Sequence, residues 1–445
     1  MPGPSGRRTA PEIDARGLAR GTAPYRVPGV LSSSLLSGDN EARVSNTFSR
    51  RDFLKRAAAF GAFAAGFGGI EAARKAGDLW QQHQTWAEAS RPNAEFFDRN
   101  ATDLTRLKLG GSFAPEQWPR DEAGQRGALT ALDLSLRELG TRQLRLGLRW
   151  NRVDSAAGVD LAPYRPVIDY CFANGVDLCL NLGPIRVFRW PEEHLPPGMA
   201  LPPQGSTIDP GSSLAESALD YLNRLLVALG REYGATLDAV RLLQVENEPF
   251  FALGSRRWRM SEDYVAAAAR AVSMAMPGAG LLVTSAGRLN LEEVRSLFQR
   301  LRAEEPRLTG RLVSGFDFHY KTPLRDSFPV IRHFDQVAYA TPLAASLSRH
   351  VWDSRDLGFE IEVSEAQAEP YGKFQTPGNS ARDFRFLLLR CLDSVLDPQR
   401  PALIRIWGLE RLTERMLSGD LTAEHRDIIQ IIQTLNQVQP QRVTT

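Results

Sequence analysis

The amino-acid sequence predicts an α/β protein of the (β/α)8, or TIM-barrel, class. Three observations predict it. Eight apolar segments of strand length alternate with segments of helical spacing, the pattern of a parallel sheet with crossover helices. These units span roughly 340 residues, the size of a barrel with some long loops after its strands. No glycine-rich phosphate loop follows the first strand, which weakens the alternative of an open doubly wound sheet.

The strands expected, in order, are "LTRLKLGGSF" (104–113), "RQLRLGL" (142–148), "VDLCLNL" (176–182), "AVRLLQV" (239–245), "GLLVTSA" (280–286), "LVSGFDFHY" (312–320), "FEIEVSE" (359–365) and "ALIRIWG" (402–408). Between them, "ALTALDLSLRELG" sets Leu129, Leu132, Leu136 and Leu139 on one helical face. The segments "SALDYLNRLLVALGREYG" and "RDFRFLLLRCLDSVL" behave alike.

In such a barrel the carboxyl ends of the strands form the active-site face. The fourth strand ends in "ENEP", which puts Glu246, Asn247 and Glu248 on that face. The seventh runs "FEIEVSEAQAEPYG", in which Phe359, Ile361, Val363 and Glu365 share one parity, so Glu365 ends a row of apolar side chains. By the same parity Glu360 and Glu362 fall on the opposite face, and Arg241 or Arg405 is available to pair with them. Two carboxylates at one barrel mouth suit glycoside hydrolysis, in which one donates a proton and the other attacks or activates water. Glu369, before Pro370, is the alternative second carboxylate.

These motifs resemble glycoside hydrolase clan A, the cellulase-like barrel enzymes. The resemblance implies that Glu248, preceded by Asn247, is the general acid/base and that Glu365 is the nucleophile of a retaining reaction. It also implies that Arg145, five residues before Trp150 in "RLGLRW", lies beneath the nucleophile, and that Asn247, Arg145 and Trp150 are among the substrate-binding residues. His319 and Tyr320 in "FDFHYK" and Trp407 in "IRIWGLE" take the positions of substrate- or nucleophile-contacting residues. More narrowly, "GGSFAPEQW", "RVFRWPEEHLP", "QVENEPF" and "SEAQAEPYG" resemble a bacterial cellulase-like subgroup. After the third strand, Trp190 offers a sugar-stacking platform, and Arg186, Arg189, Glu192, Glu193 and His194 offer polar contacts. Glu116, Gln117 and Trp118 are similar candidates after the first strand.

Composition narrows the function classes. The 445 residues are 43% hydrophobic and 24% charged with a net charge of +2, which provides no electrostatic footprint for nucleic acid. Cys171, Cys179 and Cys391 fit no zinc or redox spacing, and neither metal nor cofactor is expected. The stretch "SRRDFLKRAAAFGAFAAGFGGI" (49–70) resembles the bacterial twin-arginine signal: Arg50 and Arg51, then Phe53, Leu54 and Lys55, then a short apolar run. The expected organisation is a disordered extension over 1–48, a signal and linker over 49–89, and a catalytic domain over 90–445. One reading starts translation near Val44. The segment "AEAS" at 87–90 has a small-x-small cleavage pattern. The expected partners are a carbohydrate and the twin-arginine translocation machinery, with membrane contact only through the signal. The destination is periplasmic, extracellular or membrane-anchored. Two other functions fit the same residues: a non-catalytic carbohydrate-binding barrel and a transglycosylase.

Overall fold

The computed structural model describes residues 84–85, 87–189, 191–286, 290–306, 312–319, 322–323, 337–338, 357–367, 381–395 and 402–437. The twin-arginine segment, Trp190, Tyr320 and Glu369 lie outside the described residues, as does the side chain of His319.

Eight parallel strands close into a barrel in sequence order: β1 Leu107–Phe113, β2 Gln143–Gly147, β3 Asp177–Asn181, β4 Val240–Gln244, β5 Gly280–Ala286, β6 Leu312–His319, β7 Glu360–Gln367 and β8 Ala402–Ile406. This is the (β/α)8 barrel that the alternation of segments predicts. Around it lie α1 Asn93–Leu104, α2 Glu122–Arg137, α3 Arg165–Ala173, α4 Ser213–Tyr233, α5 Glu262–Ala275, α6 Leu291–Glu304, α7 Ala381–Val395, α8 Leu409–Ser418 and α9 Ala423–Leu435. Side-chain caps start several of them: Asp121, Ser212 and Ser261 each accept a backbone N–H three residues on, satisfying a donor left orphaned by the helix end.

The packed layer between strands and helices is strongly apolar. Leu144, Leu178, Leu180, Leu243 and Val283 meet Leu132, Ile168, Leu222 and Val265 from the helices. On the other side Leu109, Val363 and Ile404 pack on Phe96, Leu388 and Ile432. Ala89 is fully buried in that second cluster, and the Arg385 guanidinium donates to its carbonyl at 2.8 Å. Its neighbours Ala87 and Ser90 in the "AEAS" segment are exposed.

Inside the barrel, Cys179, Leu242, Leu282 and Val313 form a small apolar layer. Opposite them Arg405 on β8 forms a buried ion pair with Glu362 on β7, the partnership expected for one of the off-face glutamates. Removing one member of such a pair strands a buried charge and costs about 3–5 kcal/mol, whereas exchanging both for apolar residues is close to neutral. Arg405→Met is therefore expected to lower the urea midpoint sharply, and Glu362→Leu/Arg405→Met to recover most of the loss. A single variant as stable as the double would remove the pairing argument.

β7 departs from strict alternation. Gly315 and Asp317 on β6 pair with Glu362 and Glu365, so two steps on one strand match three on the other. Val363 and Ala366 likewise oppose Ile404 and Ile406 on β8. This is a β-bulge, which inserts one residue and re-aims the side chains after it. Uninterrupted parity would leave Glu365 on the helix-facing side with Val363. The bulge instead turns it into the barrel mouth, within reach of β2.

Candidate active site

Among the described residues, the loops after β3 and β4 and the carboxyl end of β7 build the mouth. The first approaches the end of β4 closely. A Cβ on Gly183 would meet the Arg186 carbonyl at 2.4 Å and the Glu246 Cα at 2.5 Å, so only glycine fits there. Arg189, Glu192, Glu246 and Glu248 all have positive φ, at 87°, 71°, 56° and 44°. Non-glycine residues in this region carry strain that surrounding contacts must hold in place, and such strain clusters at functional sites.

The centre of the site is Arg145, fully buried on β2. Its Nη1 donates to a Glu365 carboxylate oxygen at 2.9 Å. Its Nη2 donates to Asn247 Oδ1 at 2.6 Å, and its Nε to Gln244 Oε1 at 2.8 Å. One guanidinium thus ties the end of β7 to the end of β4, with Phe188 stacked 4.4 Å away. Asn247 is fixed further by Gln244 Nε2, which donates to the same Oδ1 at 3.1 Å. Its amide nitrogen then faces Glu192, at 3.4 Å. Glu248, 3% exposed, is anchored by its own N–H donating to Thr284 Oγ1 at 2.8 Å. The structure therefore brings together four of the sequence-predicted residues, Arg145, Asn247, Glu248 and Glu365.

Further carboxyl groups surround them. Glu192 is half-buried; loss of hydration and then the neighbouring Glu248 push its pKa up to about 8. Asp317, fully buried on β6, is driven well above the usual carboxylate range by burial, then by Glu365 and Glu248. Sequence reading passed over Asp317 in favour of its neighbours His319 and Tyr320. The available signal was a charge on the same strand parity as Val313 and Gly315, inside an apolar run.

Glu246 has a structural task. It accepts from the Ile185 and Arg186 amides at 3.2 and 2.5 Å and from the Tyr264 hydroxyl at 2.7 Å. Burial raises its pKa to about 7 against these hydrogen bonds. Arg186 differs from the sugar contact expected of it. It is fully buried, and its guanidinium donates to the carbonyls of Asn247, Glu248, Phe251, Leu253 and Trp258. It acts as an internal strut for the loop after β4. Lysine has neither the planar fork nor enough donors to serve so many acceptors, and each buried acceptor left unpaired costs about 1–3 kcal/mol. Arg186→Lys is expected to lose on the order of 3 kcal/mol of stability, with faster amide hydrogen exchange over residues 247–258. Unchanged exchange there would show that the loop holds without the strut.

The remaining candidates are placed differently. Trp150 is 3% exposed, stacked on Tyr221 with centroids 4.7 Å apart and planes 13° apart, and its indole N–H donates to Asp154 at 2.8 Å. It packs in the core, because a large apolar ring with its one donor satisfied is most stable there. His194 is buried, with Nε2 3.3 Å from the Arg189 carbonyl; burial, then Arg149, lowers its pKa to about 3, so it is neutral. Trp407 follows β8, half-buried, with the Arg189 guanidinium 4.5 Å from its ring centroid and Arg189 ion-paired to Glu410. Glu193 clips the loop at 253–258, accepting from the amides of Ser255 and Arg256. Glu116 accepts from the Tyr164 hydroxyl and pairs with Arg149 at 3.3 Å.

No protein-family model and no curated protein matches this chain. Among solved structures the similarity is remote. An intracellular xylanase from Thermoanaerobacterium saccharolyticum is 15% identical, over 69% of this chain and 88% of that one, with a TM-score of 0.44. An endo-β1,6-glucanase is 11% identical, over 67% and 65%, at 0.41. The catalytic domain of a mannanase from Streptomyces sp. SirexAA-E is 14% identical, over 68% and 74%, at 0.40. At this distance the question of activity falls to the side chains.

Proposed function

We propose that this chain is a retaining glycoside hydrolase acting on an oligo- or polysaccharide, with Glu365 as nucleophile and Glu248 as general acid/base. The observation that carries this reading is the Arg145 guanidinium, bonded at once to the Glu365 carboxylate and to Asn247, the residue before Glu248. A buried cation favours the ionised form of the carboxylate it touches, which is the form a nucleophile needs. Glu365 attacks the anomeric carbon while Glu248 donates its proton to the departing oxygen. The bond from sugar to leaving group breaks as the bond to Glu365 forms. Water, deprotonated by Glu248, then displaces Glu365 and restores both groups. Asn247 Oδ1 is occupied by Arg145 and Gln244, and its amide nitrogen, which donates to Glu192 at 3.4 Å, carries a second N–H for the sugar's 2-hydroxyl. Trp407, half-buried after β8, serves as an aromatic surface for the sugar. The sugar contacts expected of Trp190, His319 and Tyr320 lie outside the described side chains, and His194, buried against the Arg189 carbonyl, supports its loop instead.

The test is a panel of glycans and aryl glycosides, with the anomeric form of the first product followed by NMR. Retention supports the double displacement, for which the two carboxylates stand roughly 5–5.5 Å apart; an inverted product overturns it. Binding without turnover across the panel would leave a lectin-like barrel.

The route is part of the proposal. The sequence at 49–70 resembles a twin-arginine signal, whose receptor reads the guanidinium pair. Arg50→Lys/Arg51→Lys is expected to hold the protein in the cytoplasm, as shown by fractionation. Undiminished export of that double variant would dismiss the route.

A further inference from the structure

Asp317 is a carboxyl group to which double displacement assigns no step. It lies on β6 as the Cα partner of Glu365 across the β6–β7 ladder, on the first rung after the bulge. It is fully buried. The Ser364 hydroxyl donates to its Oδ1, while Oδ2 has no hydrogen-bond partner among the described residues. The charged groups facing it are Glu365 on β7, Glu248 after β4 and Arg145 on β2. Arg145 already has each of its three nitrogens bonded elsewhere, to Glu365, Asn247 and Gln244.

An ionised Asp317 would set a second negative charge beside that of Glu365, facing one guanidinium that is already committed and shielded from water. It would also bury a charged oxygen with no donor, which is costly. As an acid it carries one O–H. Oδ1 is the acceptor for Ser364, so the proton belongs on Oδ2. Neighbouring strands lie about 4.8 Å apart, which puts the carboxylate on the same rung within reach of that O–H.

We propose that Asp317 is a neutral carboxylic acid and a positioning residue for Glu365, donating its Oδ2–H to the Glu365 carboxylate alongside Arg145. Two donors from different strands then fix the carboxylate that the bulge has turned into the mouth. The protonation of Asp317 stands on burial and geometry alone; its effect on turnover rests on the reading of Glu365 as nucleophile.

The experiment has two arms on the full-length chain. In the first, the protein is labelled with carbon-13 at aspartate carboxyls and titrated by NMR. One aspartate resonance is expected to keep its protonated shift at neutral pH and to vanish in Asp317→Asn. If every aspartate is ionised at neutral pH, the proposal fails, and this holds even if no variant folds. The second arm follows the acidic limb of kcat/KM against pH. Asp317→Asn keeps a neutral donor, so the limb is expected to stay in place while kcat falls about threefold. Asp317→Ala removes the donor, so the limb is expected to move up by about one unit and kcat to fall about tenfold. If Asp317 were a carboxylate, Asp317→Asn would delete a like charge and move the limb down by about one unit or more, which overturns the proposal. A wild-type protein inert on all glycans defeats the glycosidase reading but leaves the NMR arm decisive for Asp317.

Discussion

Glu365→Ala is expected to lose turnover by on the order of 10⁴–10⁶-fold, the range seen when a nucleophile is removed from a site that acts as a unit. The fold should survive at reduced stability, because Glu365 lies near the carboxyl end of β7 at the mouth instead of packing between strands and helices, although its loss leaves the buried Arg145 without its charge partner. The variant keeps Glu248, its Thr284 anchor and the Arg186 strut. Azide is small enough to enter the space left by the carboxylate. It attacks the anomeric carbon once, from the face Glu365 would have used, while Glu248 still protonates the leaving oxygen. The product is then the glycosyl azide of inverted configuration. Glu248→Ala is the complementary case. Its glycosyl-enzyme forms from substrates with good leaving groups, and azide displaces Glu365 from the opposite side, giving the retained azide. The two configurations, read by NMR, assign both carboxylates independently of any rate. Identical configurations from the two variants would falsify the assignment, and a Glu365→Ala enzyme of undiminished activity would move the nucleophile to another carboxylate, with Glu369 the first to test.

Arg145→Ala is expected to be nearly as damaging, and for two separate reasons. The guanidinium is fully buried with every nitrogen engaged. Deleting it leaves an uncompensated buried carboxylate at a cost of about 3–5 kcal/mol, and it frees the acceptors of Gln244 and Asn247. Stability should therefore drop visibly in a urea titration, a larger effect than a purely catalytic role implies. The second reason is positional. The guanidinium holds the Glu365 carboxylate against Asn247 with charge-assisted hydrogen bonds, and without that hold kcat is expected to fall by at least about 10²-fold. Arg145→Lys should restore part of the stability but not the fork that joins Glu365 to Asn247. Undiminished kcat in folded Arg145→Ala would separate Arg145 from the chemistry and leave it a structural residue.

Much of this site is legible along the chain because its parts are local. Asn247 and Glu248 follow directly on an apolar strand, and the end of a barrel strand is where the mouth lies. Arg145 is a cation inside the apolar run "QLRLG", a position that calls for a buried partner. The partner of Glu362 could be narrowed to two arginines because a charge on that face must be paired. What misled the reading were residues whose surroundings come from far away in the chain. Arg186 looks like a loop arginine free to meet a ligand, but its acceptors arrive 61 to 72 residues later. Trp150 looks like a substrate contact beside the site, but Tyr221 from α4 covers it. Asp317 was passed over because only Glu365 and Ser364 on β7, more than forty residues downstream, make it part of the site.

The sequence by itself determined the order and kind of the elements, since the alternation of strand and helix periods is a property of covalent neighbours and their side chains. It determined too which ends of the strands carry carboxylates. Only the tertiary structure decided where those carboxylates point. Simple alternation sends Glu365 toward the helices with Val363; one extra residue between Glu362 and Glu365, visible only against the rungs of β6 and β8, turns it into the barrel to meet Arg145. A bulge is a mismatch between two strands, and neither strand's residues record it alone.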